Sequence, residues 1–126
     1  MMSQPSHRWL IAVFSFAVAV TAWPRASADN PEHVAQFRQT RACRGCDLSN
    51  ANLAGIQAPR ADLTDANLRD ATFYGGDLRE TDFTGAILDG ANFEMVNLAG
   101  AVGAVLGEAR TDARTTCPDG TPGPCH

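Results

Sequence analysis

From Cys46 to Gly100 a leucine or phenylalanine returns every fifth residue: Leu48, Leu53, Leu63, Leu68, Phe73, Leu78, Phe83, Leu88, Phe93 and Leu98. The stretch divides without a gap into eleven five-residue units, from CDLSN and ANLAG to ANFEM and VNLAG. Only IQAPR lacks a large centre, having Ala58 there. A small residue stands two before the centre in nine units, and Asp or Asn lies between them in eight. An α-helix turns ~100° per residue, so a stripe of this spacing winds around it and buries no single face. A strand alternates sides with period two and sends successive centres to opposite faces. The pattern therefore predicts a chain that turns a corner once per unit. The centre and the small residue face inward and the other three face water. Asn50, Gly55, Asp65, Asp70, Gly75, Gly85, Gly90 and Gly100, all at unit ends, suit such corners.

The unit A-(D/N)-L-x-x, as in ANLAG, ADLTD, ANLRD and ANFEM, resembles the pentapeptide-repeat family over residues 46–100. The resemblance implies an all-β fold, a right-handed quadrilateral β-helix with four units per coil and roughly three coils in this chain. Residues twenty apart then stack, giving columns of centres such as Leu48/Leu68/Leu88 and Leu53/Phe73/Phe93. Stacked rings suit the second column. Ile56 and Ala58 in IQAPR reverse the volumes of Gly76 and Leu78 one coil above, which predicts an exchange of volume within a narrow core. A β-helix leaves unpaired backbone at both ends, so both ends need caps.

The segment 29–45 is predicted to cap the first coil. Asn30 or Asp29 is a suitable N-cap, Pro31 fits the first turn, and Val34 and Phe37 share one face of a short helix over about residues 31–41. The following CRGCDLSNANL run looks like the start of the array in exported bacterial pentapeptide proteins. After Gly100 the register falters. Ala104–Leu106 and Ala109–Thr111 read as two decayed units displaced by three residues, which would carry the array to 113. The tail at 114–126 contains a Pro-Asp-Gly turn and resembles the tails that close some exported arrays. In the implied coil the pair Cys43 and Cys46 and the pair Cys117 and Cys125 lie more than two coils apart. At ~4.8 Å per coil this exceeds the reach of a disulfide. The expected pairing is therefore Cys43–Cys46 and Cys117–Cys125, and a tail folded back along the stack is the arrangement that would allow another.

The N-terminus changes the compartment. Residues 9–23 form an apolar run that as a helix would reach ~22 Å, short of a ~30 Å hydrocarbon core. With Arg8 before it and Ala26-Ser27-Ala28 after it, residues 1–28 read as a secretory signal, with an uncleaved anchor as the alternative. Its removal takes Arg8 and Arg25 away and shifts the net charge from −4 to −6. That balance opposes nucleic acid and anionic membrane surfaces as partners. An even cysteine count in an exported, periplasmic or extracellular chain favours disulfides.

No catalytic constellation, cofactor loop or metal-ligand set is apparent: His33 is close to the CxxC, but His126 is at the far end. Three functional readings follow. The first is an exported, non-catalytic binding or scaffold module with an unidentified protein partner. The second comes from the family resemblance, an acidic DNA-mimic inhibitor of a topoisomerase, and it needs the signal to remain unused. The third is a redox role for Cys43 and Cys46. For the first, Tyr74, Ile87, Glu94 and Met95, with Val102 following, are outward departures from the polar norm and form a candidate contact surface. The need of solenoid ends for cover points instead to these residues lying beneath the C-terminal tail.

Overall fold

The computed structural model describes residues 30–126. The helix α1, Pro31–Thr40, leads into a chain that coils with a period of twenty residues. Parallel bridges join Ala42 to Asp62, Asp47 to Asn67, Asn52 to Thr72 and Gln57 to Asp77, and the same spacing repeats up to Asp82 and Val102. The coil has four sides: side one carries 41–45, 61–65 and 81–85, side two 46–50, 66–70 and 86–90, side three 51–55, 71–75 and 91–95, and side four 56–60, 76–80 and 96–100. The β-structure consists of isolated bridges, because the chain turns before any side can become a strand.

Counting the five positions of a unit from its small residue, each backbone N–H has a fixed destination. The N–H of position one closes the corner, as Ala51 N does on Leu48 O at 3.1 Å. Position two donates one coil down (Asn67 N to Cys46 O, 2.8 Å), and positions three and five donate one coil up (Leu48 N to Asn67 O, 2.8 Å; Asn50 N to Arg69 O, 2.9 Å). Position four has no backbone partner. Its N–H is taken by the side chain at position two: Asp47 accepts from Ser49 N, Asn52 from Ala54 N, Asp62 from Thr64 N and Asn97 from Ala99 N. This is the physical reason that Asp or Asn precedes the centre. These side chains carry an acceptor oxygen at the right reach to bond the backbone two residues along, which Ser and Thr do more weakly. In the deviant unit Gln57 stands at position two and Pro59, which has no N–H, stands at position four.

Position five is left-handed in every unit from Gly45 to Gly100, with φ from 58° at Arg60 to 78° at Gly100. Gly, Asn and Asp tolerate this region; Arg60, Glu80 and Met95 enter it at a cost of about 1–2 kcal/mol each.

The core is the stack of centres, with Leu48, Leu53, Leu63, Leu68, Phe73, Leu78, Phe83, Phe93 and Leu98 all fully buried. Phe73 and Phe93 stack at 5.1 Å with planes 6° apart, and Phe83 meets Phe93 edge-on at 6.0 Å. A Cβ on Gly76 would lie 3.4 Å from Ile56 Cγ2 and 3.0 Å from two carbonyl oxygens, so the large Ile56 is accommodated by the missing side chain above it.

Both ends differ from the expected boundaries. The ladder begins at Ala42, within the segment 29–45 expected to be only a cap. Residues 41–45 form a unit with Cys43 as a fully buried centre and Gly45 as its left-handed corner. Cys43 hid this unit, because a disulfide sulfur fills the place of a Leu. α1 closes the lower edge. Asn30 caps its first turn by accepting from Glu32 N and His33 N, and Phe37 is buried on the coil. Three side chains of α1 satisfy downward backbone groups: His33 Nδ1 accepts from Asp47 N (2.9 Å), Arg38 donates to Asn52 O (2.7 Å) and Gln36 to Ala42 O (3.0 Å).

At the upper end Val102 still pairs with Asp82, but Arg110 pairs with Asn92, eighteen residues on, and Thr116 with Asn97, nineteen on. Leu106, Thr111 and Cys117 are the centres of this shortened fourth turn, and the array therefore runs past the expected end at 113. The chain then reverses: Pro122 pairs antiparallel with Thr116, and Cys117 N donates to Thr121 O at 2.8 Å.

Two substitutions test these two constraints in urea unfolding. Glu80→Gly relieves a strained corner and is expected to raise stability by about 1 kcal/mol. Phe93→Ala removes the ring shared by both aromatic contacts and is expected to lower it by about 3–5 kcal/mol. An unchanged midpoint in either variant contradicts the corresponding assignment.

Candidate functional site

The disulfides belong to the frame. Cys43–Cys46 joins the centre of the first unit to position one of the next, with Cα atoms 5.3 Å apart, and Cys117–Cys125 ties the reversed tail to the last centre at 5.6 Å. No cysteine is free. Cys43 is fully buried and Cys46 is 5% exposed, directly above the helix that carries His33. His33 is occupied by the Asp47 N–H. Among the described residues no group of His, Cys, Asp or Glu is arranged to hold a metal ion, and no helix is long and apolar enough to cross a membrane. The sequence features assigned to a signal and its cleavage site lie outside the described residues.

A hollow of about 420 Å³ opens at the C-terminal end between Leu106, Cys117, Pro118, Thr121, Cys125 and His126. Its Thr121 hydroxyl donates to Asp119 at 2.6 Å within one tight turn, where Asp119 also accepts from Thr121 N. On the outer sides positions two, four and five project.

The structure separates the residues of the candidate contact surface. Tyr74 and Glu94 occupy position four of side three, with Met95 at the next corner, whereas Ile87 is at position two of side two. Tyr74, Ile87, Met95 and Val102 are 42%, 42%, 37% and 55% exposed. They do not lie beneath the tail: the reversal at Thr121–Pro122 lays the tail across the end of the stack, against Thr115 and Cys117, and leaves the sides open. Glu94 is held by Arg110 at 2.8 Å, and the Met95 N–H donates to Asp112. Val105, 76% exposed, is a further outward apolar residue. The decayed unit Ala104–Leu106 places it just before the centre Leu106, although the candidate contact surface did not include it.

The surface charges are largely paired. Arg44 meets Asp62, Arg60 Glu80, Arg69 Asp89, Arg79 Asp77 and Arg114 Asp112, at 2.8–3.8 Å. Asp62 and Asp82 stack on side one, yet each carboxyl is held below its usual range. The cause is the hydrogen bonding at position four: Thr64 lowers Asp62, Thr84 lowers Asp82 and Ser49 lowers Asp47. Arg79 does the same for Asp77 and Thr121 for Asp119. At Asp112 burial pushes upward, but the bonds from Met95, Thr115 and Arg114 outweigh it. These carboxylates serve the backbone and do not form an acid–base pair.

Eight copies of the family model described as pentapeptide repeats match residues 43–79 and 66–102. Over these residues the chain belongs to the pentapeptide-repeat family, whose fold is the right-handed quadrilateral β-helix. Among solved structures it is similar to HetL, a pentapeptide repeat protein involved in heterocyst differentiation regulation from the cyanobacterium Nostoc: identity is 30% over 65% of this chain and 40% of HetL, with a TM-score of 0.43. It is also similar to QnrB1, a plasmid-mediated fluoroquinolone resistance protein, at 23% identity over 55% of this chain and 39% of that one, with a TM-score of 0.26. A pentapeptide repeat protein from the Arabidopsis thaliana thylakoid lumen is 22% identical over 71% of this chain and 69% of that one, at a TM-score of 0.21. The chain thus spans about two fifths of the length of HetL and of QnrB1. No curated protein matches it.

The lowered carboxyls give stability a definite pH dependence. A depressed folded value adds stability above the unfolded value near ~3.9, and that stability is lost as pH falls through the folded value. Urea midpoints are expected to drop between about pH 5 and about pH 2. Asp77→Asn with Asp82→Asn is expected to flatten the drop, because Asn at this position still accepts the N–H, as Asn67 and Asn92 do. An unchanged slope in that double variant refutes the attribution.

Proposed function

We propose that this chain is an exported, non-catalytic binding or scaffold module that acts through its outer sides. The observation that carries this reading is the division between inside and outside. The interior is filled by the centres, the disulfides staple the ends, and the departures from the polar pattern point outward at Tyr74, Ile87, Met95, Val102 and Val105. Export is supported by the charge, apolar run and small-residue pattern of residues 1–28 and by the pairing of all four cysteines. The fold in this reading is a short solenoid, closed below by α1 and above by the disulfide-tied tail.

The redox reading is weaker. Thioredoxin-like chemistry needs an accessible thiolate at a helix N-terminus. Here Cys43 is buried as a core centre. The reading as a DNA mimic requires an uninterrupted row of carboxylates, and six Arg–carboxylate pairs break up the acidic surface.

Affinity capture from a periplasmic extract with residues 29–126 tests the reading. A specific partner is expected, and its retention should fall when outward residues are replaced by the polar residues usual at their positions. Capture of a topoisomerase would favour the mimic, and thiol–disulfide exchange lost in Cys43→Ser would favour the redox role.

A further inference from the structure

Ile87, Val102 and Val105 share a property beyond exposure. Each stands at position two or its equivalent, where eight of the eleven units from Cys46 to Gly100 place Asp or Asn to capture the N–H at position four. Ile87 makes no such bond, and the Asp89 N–H has no hydrogen-bond partner among the described residues; the same holds for Ala104 after Val102 and Gly107 after Val105. These three residues thus forgo a local hydrogen bond and present apolar surface to water. Val102 is above Asp82 on side one, and Ile87 is above Asn67 on side two, with Val105 preceding the next centre up. Together they occupy the upper part of two adjoining sides.

The charges around them are only partly neutralised: Arg44 meets Asp62 on side one and Arg69 meets Asp89 on side two, and other carboxylates there have no such partner. On sides three and four Asp77, Glu80, Glu94 and Asp112 each have an arginine partner. Around the apolar residues, Asp65, Asp70 and Asp82 have no ion pair among the described residues. Asp65 and Asp70 are the corner residues one coil below Gly85 and Gly90, so they flank the column that carries Ile87 on both sides. Glu108, at the corner beyond Val105, also lacks an ion pair. Apolar area framed by unpaired carboxylates is complementary to a segment that carries apolar side chains between basic ones.

We propose that the upper part of sides one and two, with Ile87, Val102 and Val105 bordered by Asp65, Asp70 and Asp82, is the docking surface for a basic, apolar-centred segment of a partner protein. This inference rests on the binding-module reading and adds to it a location and a partner chemistry. The carboxylates steer a cationic segment to the surface, and the apolar side chains hold it once water is displaced.

The position-two rule supplies variants that do not damage the fold. Ile87→Asn and Val102→Asn restore the residue the repeat prefers, so their melting temperatures should be unchanged or higher. The probe is a fluorescein-labelled synthetic peptide with a Leu-Leu-Phe centre and three arginines on each side, followed by anisotropy. The wild-type chain is expected to bind it, with affinity reduced about tenfold or more in Ile87→Asn with Val102→Asn. Tyr74→Ser, on side three, should leave binding unchanged. Raising salt from about 50 to about 300 mM should weaken it, and a counterpart peptide with glutamates for arginines should not bind.

Equal affinity for the two peptides, full affinity in the double Asn variant, or loss only in Tyr74→Ser would each overturn the proposal. Self-association abolished by Ile87→Asn in sedimentation would also overturn it, since the surface would then serve a second copy. If the arginine peptide fails to bind while a captured partner is retained by the double Asn variant, this inference falls and the binding-module reading survives. If neither peptide nor partner binds, both fall.

Discussion

The fold depends on how each five-residue unit disposes of its own N–H groups. One closes a corner, one points down, two point up, and the remaining one is taken by an Asp or Asn side chain two residues earlier. The left-handed residue at position five makes this distribution possible, because it turns the chain and aims the next unit along the adjoining side. The rest follows: centres stack twenty residues apart, the interior is too narrow for anything but one large side chain per unit, and function is left to the outside. A helix or an ordinary sheet satisfies its backbone within one direction of hydrogen bonding. This chain satisfies it by a local side-chain contact repeated in eight of the eleven units from Cys46 to Gly100, so its polar residues are as structural as its leucines.

That division also explains the surface. An Asp at position two is occupied by its own backbone, and an Arg at position four is near carboxylates within its unit or one coil away, as Arg79 is to Asp77 and Arg69 to Asp89. Most of the polar exterior is therefore already engaged. The positions left for a partner are those where the local rule lapses, which is why Ile87, Val102 and Val105 carry more information than the many aspartates around them.

The array was legible because its signal is periodic. Leu48 to Leu98, the corner residues and the exchange between Ile56 and Gly76 could all be read from spacing and side-chain size. The unit at 41–45 was not, because Cys43 replaces a leucine and reads as part of a motif. The fourth turn was only half legible: Leu106 and Thr111 could be suspected, but the one-residue insertion between Arg110 and Thr116 and the role of Cys117 as a centre depend on pairing between coils. The reason for Asp and Asn before the centre was also hidden, since no periodicity reveals which N–H lacks a partner. Cover for Tyr74 and Ile87 by the tail was a reasonable expectation for a solenoid end, but a tail tied back by the Cys117–Cys125 disulfide closes the top and does not reach down the sides.

The shortened last turn sets a direction for growth. Its rungs sit eighteen and nineteen residues above those below, and its final rung is met by a chain running the opposite way. A further coil added there would find neither a matching register nor free upward groups at Cys117. Lengthening of such a solenoid by tandem copying must then occur inside the regular portion, where any twenty-residue insert meets identical geometry above and below. The terminal turn would be carried outward intact, as a stopper that fixes where the molecule ends while its middle is free to expand.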